Sequence, residues 1–210
     1  MIAKIWRCIF VWRVKYPSRT EFYRQVSEAL AQGRPVVICT HDISLSKGNV
    51  PGRGNILLAE ALKRVTQQYP KIPVLAQLGV ALAAEQLKIP VTQTIGPPKM
   101  DTRLDRSGED YNSQTVVADQ KRWCEENGMF PALAVTLTVP LHMPRVQWVM
   151  EKEGFTVLPM PLVSMRQRDY LDVNSLYRSV RLAGKYWWGM PFLYAREMLG
   201  RLWFLKNGWM

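Results

Sequence analysis

The stretch TVPLHMPRVQW, Thr138 to Trp148, ends a run of β-formers (Ala132 to Val139) and then places His142 and Arg145 three residues apart, where the pattern predicts the first turn of a helix. An imidazole at that place transfers protons near neutral pH. An arginine beside it offers a planar fork of donors for phosphate or carboxylate, helped by the helix N-terminus. The only other histidine, His41, follows PVVICT and is joined to Asp42, a carboxylate able to tune it. Arg53, in NVPGRGN, adds a second cation whose glycine neighbours permit close backbone approach. Ser113 and Thr115 open a further predicted helix, where capping alone would explain them. Each residue also has a plainer reading: His142 fixing the strand–helix turn, and Arg145 pairing with Glu151 or another surface acid. Cys39 closes the first apolar run; a nucleophile is conceivable there, but a free cysteine in such a run reads as core. GRG matches no Walker or dinucleotide fingerprint, and neither G-x-S-x-G nor HExxH occurs.

The elements that must position these residues alternate. Phe22, Val26 and Leu30 make one helical face closed by Gly33, and PVVICT suits a strand buried on both faces. Further apolar runs cover residues 72–77, 89–95, 132–139 and 155–160. Helical patterns cover 56–69, 80–87, 113–127 and 142–153, and from about Asp172 the chain reads as helices alone. The expected fold is α/β: a Rossmann-like, doubly wound, mostly parallel sheet with helices on both faces and a helical C-terminal extension. The expected division is a basic, aromatic segment and helix over 1–34, an α/β domain over 35–170, and a Trp-rich basic extension over 171–210 packed on it. In such a sheet ligands sit beyond the carboxyl ends of the strands, and both histidines fall there. The irregular, proline-punctuated stretch 96–111 reads either as a cover over that site or as a solvated excursion.

At 210 residues one domain with a sizeable core is expected. Three scattered cysteines exclude a disulfide framework and a structural zinc site, and fit a reducing compartment. The net charge of +11 is concentrated: residues 1–34 and 161–210 each carry +5, and the middle is nearly balanced. Those two flanks hold Trp6, Trp12, Trp187, Trp188, Trp203 and Trp209, six of the eight tryptophans. Basic residues among tryptophans suit an anionic membrane surface, or else close a core with solvated charges. Nucleic acid ranks below a membrane, because no helix shows regularly spaced basic residues on one face. No uninterrupted apolar stretch is long enough to span a bilayer, and the opening segment, broken by Lys4, Arg7, Arg13 and Lys15, does not read as a signal peptide.

TVPLHMPRVQWVMEKEGFTVLPMP resembles a segment of the bacterial family designated domain of unknown function 218, the YdcF-, SanA- and ElyC-like proteins. There a strand ending in Thr leads to His-Met-x-Arg, a helix, Gly-Phe and a strand closing on Pro-x-Pro. Residues 112–115 (NSQT) resemble the family's Ser/Thr-rich helix start, and Glu197 and Gly200 its closing Glu-x-x-Gly helix; residues 35–205 can be laid over the domain. The resemblance implies a Rossmann-like sheet, a link to the bacterial envelope and, in one branch, S-adenosylmethionine binding; no settled reaction comes with it. The expected ligand-binding residues are Arg145, Arg53, Thr138, Ser113 and Thr115, and the expected catalytic ones His142, His41 and Asp42. The chain departs from the family pattern where Cys39-Thr40-His41-Asp42 replaces a glycine-rich turn, where Ala76-Gln77-Leu78-Gly79 replaces Ser-Gly, and where Val117 and Ala118 replace Glu and Asn. These departures imply a different ligand or a lost catalytic role. The expectation is a cytoplasmic protein peripheral to the inner membrane that binds a small anionic ligand; the alternative is a non-catalytic scaffold on a membrane or a partner chain.

Overall fold

Five short apolar segments pair side by side in parallel: β1 (Val36–Thr40), β4 (Val74–Gln77), β5 (Gln93–Ile95), β6 (Leu133–Leu137) and β7 (Thr156–Pro159), in the order β5-β4-β1-β6-β7. β2 (Leu45–Ser46) and β3 (Val50–Pro51) form a separate antiparallel pair. The computed structural model describes residues 14–42, 45–46, 50–96, 113–162, 166–171, 191, 193–195, 197–199 and 202. The central strands β1 and β6 are buried at every residue, as a sheet covered on both faces requires.

Alternation along these strands sorts side chains between two cores. Val36, Ile38, Val74, Ala76, Val135 and Leu137 pack with α1 (Arg19–Ala31), α2 (Arg53–Gln68) and α3 (Leu78–Gln86). Val37, Cys39, Leu75 and Ala134 pack with α4 (Ser113–Glu126) and α5 (Met143–Lys152). The fold is therefore the expected Rossmann-like α/β arrangement with helices on both faces. A 3-10 turn (Gln167–Tyr170) follows β7, and residues 193–195 and 197–199 are helical.

Local chemistry moves several boundaries. On α1 the inward face is Phe22, Val26 and Ala29, whereas Leu30 is 41% exposed; one residue turns a helical side chain by about 100°, so Leu30 rotates off the core. Ser18 caps this helix through its side chain on the Glu21 N–H. Pro90 precedes a β5 reduced to three residues, and Pro73 stands before β4, so both runs are shorter than their apolar stretches. α2 begins at Arg53, three residues ahead of its apolar pattern, and the β2–β3 pair was not signalled by hydrophobic period.

Candidate functional site

The strand order reverses between β1 and β6: the chain leaves β1 through α2 toward β4, and enters β6 through α4 from the other side. In open α/β sheets such a reversal is where ligands sit, beyond the carboxyl ends of the two strands. The Thr40–Leu137 pairing is followed by a bond from the His41 N–H to the Leu137 carbonyl (2.9 Å), so the register carries His41 alongside Thr138. Neighbouring strands lie about 4.8 Å apart, so these two side chains stand together.

His41 and Thr138 are wholly buried, and neither His41 ring nitrogen nor the Thr138 hydroxyl has a hydrogen-bond partner. Gln120 projects from α4 toward the same edge, its Nε2 directed at the carbonyls of Thr40 (3.4 Å) and Leu75 (3.5 Å); its Oε1 is buried without a partner. Burial drives the His41 imidazole well below its ordinary pKa, and the nearby His142 and Arg145 push the same way. His41 is thus neutral, with one ring nitrogen a donor and the other an acceptor.

At the start of α5, His142 and Arg145 converge on Glu197 from the C-terminal helical segment. Arg145 Nε lies 2.9 Å and Nη2 3.3 Å from the two carboxylate oxygens. His142 Nδ1 lies 2.9 Å from Arg145 Nη2 and 3.6 Å from Glu197, while Nε2 faces Ser113 Oγ at 3.4 Å. Because a guanidinium only donates, the short contact makes Nδ1 an acceptor in the neutral ring and puts the proton on Nε2. Burial alone would push the Glu197 carboxyl up. The hydrogen bonds and charge of His142, when protonated, and of Arg145 outweigh it and hold the group at about 2. An arginine in the first turn of a helix opposes the helix dipole, and Glu197 offsets both. The expected partner Glu151 instead accepts from Gln147.

Asp42 does not join this group, which corrects its expected pairing with His41. Adjacent residues of an extended chain point to opposite faces, so Asp42 turns toward α2 and α3. Its Oδ2 accepts from the Gly79 N–H (3.1 Å) and its own N–H donates to Gln77 Oε1 (2.9 Å). Gln77 makes no side-chain cap at α3, so Asp42 takes that role from the neighbouring strand. Burial pushes its carboxyl up to about 6, against a smaller downward pull from the Gly79 N–H. A Cβ at Gly79 would stand 2.4 Å from Asn55 Nδ2 and 2.8 Å from Asp42 Oδ2, so the junction of α3 with α2 needs a glycine.

Of the sequence-derived candidates, the fold gathers His41, Thr138, His142, Arg145 and Ser113 on the α4–α5 side. Arg53 is exposed at the first position of α2, whose helix packs on the opposite face. Thr115 is half-buried in the first turn of α4. Cys39 is core: burial, with the Cys124 thiol nearby, raises its pKa well above the ordinary value, which makes it a poor nucleophile. The stretch 97–111 and most of the basic, Trp-rich flanks lie outside the described residues. Gln120 and Asn55 were not anticipated. Each is a polar residue at a helix position spaced with core residues, Gln120 with Val116 and Cys124, and Asn55 with Leu58 and Leu62. Among the described residues, no cluster of His, Cys, Asp and Glu is arranged to hold a metal ion, and no helix is long and apolar enough to cross a membrane. Compared with known protein families, curated proteins and solved structures, the chain matches none.

Proposed function

We propose that this chain binds a small polar ligand in the crevice between β1 and β6. The observation that carries the reading is the pair His41 and Thr138, buried side by side at the chain reversal with their polar atoms unsatisfied. A buried polar group without a partner costs about 1–3 kcal/mol, and a protein has reason to keep several together where a ligand completes them. The N-termini of α4 and α5 open on the same edge and suit an anionic part of the ligand near Ser113. His142 is the proton-transfer group in this reading: its side chain is 16% exposed, its Nε2 is directed outward from the Arg145–Glu197 pair, and Arg145 holds its orientation. The YdcF-, SanA- and ElyC-like resemblance of the His142–Arg145 segment supports a role in the bacterial envelope, with the basic, Trp-rich flanks on an anionic inner-membrane surface. It also makes S-adenosylmethionine a ligand to try first.

The test is melting temperature against S-adenosylmethionine, nucleotides, sugar phosphates and polyprenyl phosphate analogues, in the wild type and in Thr138→Val. A ligand at about 100 times its dissociation constant adds about 2.7 kcal/mol of stability. A shift in the wild type that the variant loses supports the site, and no shift with any compound counts against it.

A second reading rests on Arg145, whose fork is already engaged by Glu197. In that reading the His142–Arg145–Glu197 group is a clamp fastening the C-terminal helix to α5, and the protein is a non-catalytic scaffold. Co-sedimentation with phosphatidylglycerol vesicles and absence of any small-molecule shift would favour it.

A further inference from the structure

If the crevice takes a ligand, as proposed above, the inventory of its floor says what kind of group reaches the bottom. Neutral His41 presents one donor and one acceptor, the Thr138 hydroxyl presents either, and Gln120 Oε1 is an acceptor only. At least two of these atoms can be satisfied only by donors. Phosphate, sulfate and carboxylate groups accept almost exclusively, and so leave them orphaned. Among the described residues no formal charge belongs to these three side chains, and Arg145 on the same side is held by Glu197 at 2.9 Å. An anion carried down to His41 and Thr138 would lose its water without gaining a counter-charge.

We infer that the part of the ligand meeting His41, Thr138 and Gln120 is an uncharged group with both hydrogen-bond donors and acceptors, of the amide, urea or nitrogen-heterocycle class, and that any anionic part stays outside at the helix ends. The crevice then discriminates by leaving acceptors unsatisfied with the wrong group, which is the stronger form of discrimination available to a buried site.

The chain has two histidines, so its histidine ring nitrogens give two sets of NMR signals, assigned with His142→Gln. The full chain, labelled with 15N-histidine, would be titrated separately with uracil, acetamide, inorganic phosphate and acetate. The inference expects uracil or acetamide to move both His41 nitrogens, phosphate and acetate to leave them in place, and Thr138→Val to abolish the movement. Phosphate or acetate moving His41 while the neutral probes do not would overturn the assigned class and leave a ligand site standing. His41 silent to all four probes also overturns it. In that case a Thr138-dependent melting shift with the larger compounds would still uphold the ligand site, and its absence would remove that reading as well.

Discussion

At the scale of single residues, Glu197 and Asp42 are buried carboxyls at the strand ends whose pKa values shift in opposite senses. Glu197 is almost buried and held at about 2 by its partners, below its ordinary 4.5. A depressed carboxyl contributes stability that is complete above pH 4.5 and is lost as pH falls toward 2. Glu197→Gln removes the buried carboxylate that Arg145 Nε and Nη2 meet, and should cost on the order of 3 kcal/mol in urea unfolding. A loss below half of that would show the pair to be solvated. Asp42 has the opposite sign: its carboxyl is raised to about 6 from 3.8, so the folded chain holds the proton more tightly than the unfolded one. Its contribution therefore falls as pH rises from about 4 through 6. Asp42→Asn keeps an acceptor for the Gly79 N–H, and should remove that slope and match or exceed wild-type stability at pH 7.5. An unchanged slope in the variant would mean that Asp42 is not its source. Thr138→Val removes an orphaned hydroxyl with little change of shape. It should melt no lower than the wild type, whereas a clear drop would reveal a hydrogen bond at that hydroxyl.

At the scale of elements, the tightest constraint is the approach of α3 to α2 beneath Asp42. Gly79→Ala should lower stability by about 1–3 kcal/mol through overpacking against Asn55 and Asp42, and Asn55→Ala in the same chain should recover most of it. Additive losses in the double variant would point to the helix backbone instead. The elements that the sequence made legible are those with an unbroken period: β1 and β6 as continuous apolar runs, and α4 and α5 from their spacing. The two-residue strands β2 and β3 are too short for any period, and β5 owes its place to pairing with β4. The site was legible in part. His41, His142 and Arg145 stand where strands end, and that much follows from chain order. That His41 and Asp42 part to opposite faces follows from strand alternation, but the choice of partners does not. Glu197, 52 residues beyond Arg145, and Gln120, reaching across to β1 and β4, are supplied by tertiary packing that no local spacing encodes.

At the scale of the whole molecule, one sheet separates two polar groups at the same edge. On the α2–α3 side Asp42 accepts from the Gly79 N–H, and its own N–H, donated to Gln77 Oε1, stitches β1 to β4. On the α4–α5 side His142, Arg145 and Glu197 are engaged with one another, while His41, Thr138 and Gln120 keep buried polar atoms without partners. This asymmetry is the reason to look for a ligand on one side and for stability on the other. The measurement that bears on it most directly is electron density in a crystal grown with the compound giving the largest melting shift. The account predicts that compound within hydrogen-bond distance of a His41 ring nitrogen and of the Thr138 hydroxyl. The compound lodged elsewhere, with only ordered water against His41 and Thr138, would contradict it.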